Sequence, residues 1–172
     1  MTEHTHKQFD AEMEAIRSGV LAMGGLVETQ LARAIELLEN DENRALLDQV
    51  GADEQMINRM QVDMDQQCSQ IIAKRQPAAI DLRMILTITK IVNDLERIGD
   101  EVKKVAYKAA QTRGTDQLTQ VRRHDVARAA SGAREMLQHS LDVFARLDAV
   151  AAAEVIDRDG DIDVAFLAIL RQ

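Results

Sequence analysis

The sequence is poor in the residues that break or turn a chain. It has one proline, Pro77, and eight glycines among 172 residues. A β-sandwich or a β-barrel needs many more turn residues than this. The single cysteine, Cys68, cannot form an internal disulfide, and free thiols are typical of a reducing compartment. These shortages predict an all-α protein that is located in the cytoplasm.

Aromatic residues and net positive charge are scarce as well. Aromatics make up 2% of the chain, so little is available to stack on bases. The chain has 21 Lys and Arg residues against 29 Asp and Glu, a formal net charge of −8 at pH 7. Surfaces that bind nucleic acid are basic, so we expect no direct binding to nucleic acid. Anionic lipids repel an acidic chain, and its longest uncharged run, residues 18–27, is too short to insert into a membrane.

Apolar residues recur every three or four positions, which is the pattern of amphipathic helices. The pattern predicts helices over about residues 7–40, 44–75, 78–111 and 116–147, and a fifth helix from about residue 149. The third helix has the most regular spacing, which predicts the inward residues Met84, Ile88, Ile91, Leu95, Ile98, Val102, Val105 and Ala109. Gly24 and Gly25 predict a close helix crossing or a mild kink in the first helix. His4 and His6 are expected in a disordered N-terminal tail.

The chain contains an internal repeat. Glu54-x-x-Ile57-Asn58 matches Asp159-x-x-Ile162-Asp163, so the fourth and fifth helices correspond to the first and second. We therefore predict a three-helix repeat over residues 1–112 and a second repeat over residues 115–172 that is truncated within its second helix. The apolar faces of the last two helices need a cover, because monomers rarely expose large apolar patches. The first unit or a second copy of the chain could cover them, but we favour a third interpretation, that the chain is a fragment of a longer protein.

Oxygen-bearing side chains mark candidate metal ligands. Glu96 and Asp100 lie four residues apart, on one face of the third helix, where like charges destabilise a helix by a few tenths of a kcal/mol, roughly. Neighbouring cations can compensate, including Lys104 in a pair with Asp100. A bound metal is the alternative, because the repeat carries similar side chains at Glu54, Asn58, Asp159 and Asp163. Oxygen ligands suit Mg²⁺, Mn²⁺ or Ca²⁺, and iron and zinc stay open. Gly99 is interpreted as a site of close helix packing.

Three stretches of the sequence resemble the PhoU family. They are Phe9-x-Ala-Glu-x-Glu-x-Ile-Arg17 with Met23-Gly-Gly-x-Val-Glu28, then Ile71-Ile-Ala-Lys-Arg-Gln-Pro77, then Asp81-Leu-Arg83 with Lys90-Ile-Val-x-Asp-Leu-Glu-Arg-Ile-Gly-Asp100. The resemblance covers essentially the whole chain. It implies an elongated bundle of two three-helix PhoU repeats, although this sequence ends inside the fifth helix.

The resemblance also implies a function. It suggests a non-catalytic adaptor and negative regulator of the phosphate-starvation (Pho) response, which links the ATPase subunit of the phosphate ABC transporter (PstB) to the sensor histidine kinase (PhoR) and modulates phosphate uptake. Such a protein associates with the membrane peripherally, through these partners. Asp81, Arg83 and Arg146 become candidate partner-binding residues. A homodimer is expected for a separate reason: if the chain ends at Gln172, a second copy would cover the apolar faces of the fourth and fifth helices.

Family members bind metal clusters through paired Glu/Asp-x-x-x-Asp motifs, which implies the metal ligands named above. Asn58 departs from that motif and removes one charge. An alternative interpretation is a metal-binding helical bundle that acts as a metal-dependent enzyme or a storage protein. A purely structural helical scaffold is a further alternative.

Overall fold

The computed structural model describes residues 2–39, 44–112 and 120–158, together with Gly160, Val164 and Leu167. This part of the chain contains helices and no strand, so the all-α prediction is confirmed. The helices are α1 (Thr2–Glu39), α2 (Arg44–Arg75), α3 (Ala79–Gln111), α4 (Gln120–Arg146) and α5 (Ala149–Asp157). The predicted ends of α2 agree with the structure, and α3 begins one residue after its predicted start.

The first helix begins earlier than predicted. It starts at Thr2, so the backbone of His4 and His6 is helical, and the prediction of a disordered tail is wrong. The sequence of these first residues contains no glycine or proline that would break a helix. The predicted linker at residues 113–115 and the predicted start of the fourth helix lie outside the described residues.

Helices α1, α2 and α3 form a three-helix bundle in which each helix packs on the other two. Its core holds fully buried residues from all three helices, among them Ile16, Val20, Met23, Ile57, Ile85, Ile88 and Val92. Helix α4 packs on α1, and α5 packs on α4. The first unit therefore covers one face of α4, whereas α5 has no buried residue. The division into two repeats stays a prediction.

Gly24 allows α4 to lie close to α1. A Cβ atom added at Gly24 would lie 2.4 Å from Leu141 Cδ2 of α4, which is closer than two carbon atoms can approach. A Cβ atom added at Gly25 would meet nothing within 4 Å. The predicted close crossing is thus confirmed at Gly24, since a glycine there lets the two helices touch.

The buried face of α3 is rotated relative to the prediction. Its buried residues are Ile85, Ile88, Val92, Leu95, Gly99, Val102, Ala106 and Ala109. Ile98 and Val105 were predicted to be inward, but they are 37% and 42% exposed. Gly99 explains the rotation, because an added Cβ atom would lie only 3.0 Å from Ile57 Cδ1 of α2. The small residues of α3 face its neighbours, which confirms the prediction of close packing at Gly99.

Candidate functional site

Two hairpin turns lie at the same end of the molecule. Arg75, at the end of α2, donates two hydrogen bonds to Glu12 near the start of α1, at 3.0 Å and 2.7 Å. Arg17, farther along α1, donates a 3.3 Å hydrogen bond to the backbone carbonyl of Ala145 near the end of α4. These contacts place the α2–α3 turn and the α4–α5 turn on one end of the bundle. We call it the turn end: residues 76–83 and 146–151.

Both turns of the turn end contain a left-handed backbone at a residue other than glycine. Gln76 has φ 47° and Leu147 has φ 53°. Each follows the last residue of a helix, which is where a left-handed residue terminates the helical hydrogen bonding. Asp148 then caps α5, because its carboxylate accepts hydrogen bonds from the backbone N–H groups of Val150 and Ala151. The direction of the chain at this end is therefore fixed by local structure.

The turn end combines exposed apolar and charged side chains. Ile80 is 82% exposed, and Val150 is 76% exposed. Asp81 is half-buried in the first turn of α3, whereas Arg83 is exposed. Arg146 is the last residue of α4 and forms a 2.8 Å ion pair with Asp142. The predicted partner-binding residues thus share one end of the bundle, and the exposed apolar side chains beside them were not predicted.

Glu54, a predicted metal ligand, is buried in α2 with only 6% of its surface exposed. Its Oε1 accepts a 2.7 Å hydrogen bond from the side-chain amide of Asn58. Its Oε2 accepts a 2.8 Å hydrogen bond from the ammonium group of Lys103 on α3. The hydrogen bond to Glu54 raises the pKa of Lys103 above its ordinary value. Both carboxylate oxygens therefore already have a donor.

The second predicted pair of ligands lies on α3. Glu96 and Asp100 are both half-buried. Asp100 lies 3.7 Å from the ammonium group of Lys104, so the ion pair predicted between these residues is confirmed. Lys104 also contacts Glu101 at 2.9 Å, and that hydrogen bond raises the pKa of Lys104. The cations of α3 compensate its acidic face.

No group of three His, Cys, Asp or Glu residues within the described ranges could hold a metal ion. Asp159 and Asp163 lie outside the described residues. The donors around Glu54 do not fit a divalent cation, because an amide N–H and an ammonium group face the carboxylate where oxygen ligands would be needed. Metal binding elsewhere on the chain stays a prediction.

An apolar groove runs between α1, α3 and α4, with a volume of about 880 Å³. Its walls include Leu31 and Ile35 of α1, Ile98 and Val105 of α3, and Val126 and Ala130 of α4. Asp94, Arg97, Asp100, Glu101 and Lys104 line its α3 side. The sequence did not predict the groove, because Ile98 and Val105 were assigned to the core. Among the described residues, no helix has a stretch that is both long and apolar enough to span a membrane.

Comparison with known proteins supports one family. The family model of the PhoU domain matches residues 20–109. The phosphate-specific transport system accessory protein PhoU homolog of Pseudomonas aeruginosa is 43% identical over 174 residues, which cover 100% of this chain and 70% of that protein. Escherichia coli PhoU, which carries the same accessory-protein name, is 36% identical over 178 residues, with the same two coverages.

Solved structures agree with this assignment. The crystal structure of PhoU from P. aeruginosa superposes on this chain with a TM-score of 0.86 at 43% sequence identity. The superposition covers 95% of this chain and 77% of the P. aeruginosa chain. The PhoU regulatory protein from Streptococcus pneumoniae has a TM-score of 0.82 at 25% identity and covers 94% of this chain and 74% of that chain. The sequence match and the shared fold together show that this chain belongs to the PhoU family.

Proposed function

We propose that this protein is a regulatory adaptor of phosphate transport. It links the ATPase subunit of the phosphate ABC transporter to the sensor histidine kinase, and it represses the phosphate-starvation response when phosphate is plentiful. It catalyses no reaction itself. The names of its relatives support the accessory role in phosphate-specific transport, because the matches extend over the whole of this chain.

The turn end is the surface that we assign to partner binding, and the exposure of Ile80 is the observation that carries this assignment. Protein interfaces combine a desolvated apolar centre with arginine and a polar rim. Ile80 is 82% exposed directly after the α2–α3 turn, whose backbone is locally fixed, and Arg83 and Arg146 lie at the same end. A rigid surface loses little conformational entropy on binding, which favours affinity.

Deletion of the gene tests the function. Without the adaptor, we expect alkaline phosphatase, a reporter of phosphate starvation, to be expressed constitutively in phosphate-rich medium. The wild-type gene should restore repression. Unchanged alkaline phosphatase in the deletion strain would contradict the proposed function.

Complementation with variants tests the surface. Ile80→Asp with Arg83→Glu should accumulate to the wild-type level and fail to restore repression. Val62→Asp is the matched control, because Val62 is also exposed, at 62%, but lies in the middle of α2. It should restore repression fully. If the turn-end variant represses as well as the control, the partners bind another surface. Retention of the ATPase subunit on the immobilised proteins provides a direct measurement of the same contact.

A further inference from the structure

The burial of Glu54 requires a cation beside it. Glu54 is 6% exposed, and its side chain lies between α2 and α3 rather than in solvent. A buried carboxylate without a partner destabilises the folded state, because it loses its hydration. The neighbouring cation is therefore part of the folded structure and not an optional surface contact.

Lys103 provides that cation from within the chain. Its ammonium group lies 2.8 Å from Oε2 of Glu54, and its side chain keeps 35% of its surface in solvent. A lysine of this kind packs its aliphatic stem on the protein while its charged end forms the ion pair. Glu54 and Lys103 are 49 positions apart in the sequence, so their contact also connects α2 to α3.

Asn58 completes the arrangement. Its amide nitrogen donates a 2.7 Å hydrogen bond to Oε1 of Glu54, so both carboxylate oxygens face hydrogen-bond donors. Mg²⁺ and Mn²⁺ need oxygen ligands around them and would be repelled by an ammonium group at the same carboxylate. The position is thus already filled by a positive charge.

We infer that the ammonium group of Lys103 takes the place of a divalent metal ion beside Glu54 and Asn58, and that it excludes Mg²⁺ and Mn²⁺ from this position. The ion pair between Glu54 and Lys103 joins α2 and α3, in the way that a structural metal joins the elements that carry its ligands. Unlike a metal, Lys103 cannot dissociate, so the contact does not depend on the metal concentration.

Titration with MnCl₂ tests the exclusion in the wild-type protein. Bound Mn²⁺ is measured by electron paramagnetic resonance, and the midpoint of thermal unfolding is measured in parallel. Wild type and Glu54→Gln should respond identically to Mn²⁺, because Glu54 is not available as a ligand. Saturable binding by wild type that Glu54→Gln weakens tenfold or more would overturn the inference, since it would show that the metal displaces Lys103.

Replacement of Lys103 tests whether this position is a cation site. Lys103→Asp removes the cation from Glu54 and puts a negative charge on α3 in its place, so its unfolding midpoint should fall by roughly 10 °C without metal and rise again with MnCl₂. Lys104→Asp is the matched control, since Lys104 is the adjacent residue, 62% exposed, and contacts Asp100 and Glu101 instead. Its midpoint should fall less than that of Lys103→Asp, because solvent screens the ion pairs that it loses, and MnCl₂ should raise it less.

Two results would contradict the inference. Lys103→Asp could remain at its lowered midpoint in MnCl₂, or Lys104→Asp could gain as much from the metal as Lys103→Asp does. If Lys103→Asp does not fold without metal, Lys103→Met gives the same test in milder form. Lys103→Met should unfold at a lower temperature than wild type. Added Mn²⁺ should stabilise Lys103→Met more than it stabilises the double variant that carries both Lys103→Met and Glu54→Gln. Equal responses of these two variants would overturn the inference.

Discussion

At the scale of single residues, the contact between Glu12 and Arg75 joins the ends of α1 and α2. The guanidinium group of Arg75 uses two nitrogen atoms, Nε and Nη2, to bind both carboxylate oxygens of Glu12. The geometry is bidentate, which is the strongest arrangement for an arginine and a carboxylate. The hydrogen bond from Arg75 lowers the pKa of Glu12 below its ordinary value of 4.5. The folded state therefore favours the ionised carboxylate.

This contact predicts a pH dependence of stability. Because the pKa of Glu12 is lowered in the folded state, its contribution is fully present above pH 4.5 and is lost as the pH falls through the folded-state pKa. Glu12→Gln should lower the unfolding midpoint at neutral pH by roughly 1–4 °C. Thermal unfolding followed by circular dichroism in acid should then show the two midpoints converging.

A neighbouring carboxylate serves as the control for this experiment. Glu14 pairs with Arg17 across one helical turn at 3.0 Å, and its side chain is 65% exposed, so solvent screens the pair. Glu14→Gln should change the midpoint less than Glu12→Gln does at neutral pH. A difference between wild type and Glu12→Gln that persists unchanged in strong acid would contradict the assignment.

At the scale of elements, the register of α3 separates two similar residues. Val102 is 6% exposed and Val105 is 42% exposed, although the spacing of the sequence predicted both in the core. Val102→Ala should reduce the free energy of unfolding by about 2 kcal/mol, because it removes buried methyl groups and leaves a cavity. Val105→Ala should change it by less than about 0.5 kcal/mol. Urea unfolding measures both, and equal losses would contradict the register.

Local patterns predicted the helices but not the orientation of α3 within the bundle. Spacing of three and four residues is a property of one segment, so it correctly predicted the ends of α2 and nearly those of α3. Which residues of α3 face α2 depends on the space between these two helices. That space is small at Gly99, where an added Cβ atom would lie 3.0 Å from Ile57 Cδ1 of α2. The position of Ile57 depends on α2, so the apolar spacing within α3 alone does not predict which residues of α3 are buried.

The same limit applies to the candidate sites. Asp100 and Lys104 are four residues apart on one helix, so their ion pair could be predicted from the sequence. Lys103 and Glu54 lie on different helices, and only the packing of α2 on α3 brings them together. The shared position of Arg83 and Arg146 similarly follows from the antiparallel arrangement of the helices, which the sequence pattern alone does not specify.

At the scale of the whole molecule, the groove between α1, α3 and α4 leaves apolar side chains such as Ile98 and Val105 exposed. Exposed apolar surfaces that are rimmed by charged residues are typical of interaction sites. The α3 side of the groove carries both signs of charge, with Asp94, Asp100 and Glu101 beside Arg97 and Lys104. A surface with both signs can pair with a copy of itself about a twofold axis, because each charge can face its opposite in the second copy.

We therefore expect a homodimer that buries the groove. Light scattering coupled to size-exclusion chromatography should give a mass near twice the 19.2 kDa of one chain. Ile98→Asp should shift the mass toward one chain, because Ile98 is 37% exposed in the groove and a carboxylate there would be desolvated in the dimer. Val62→Asp should leave the mass unchanged, since Val62 lies on α2 and the groove is formed by other helices. A wild-type mass near 19.2 kDa would contradict the dimer, and a dimer that persists in Ile98→Asp would place the interface on another surface.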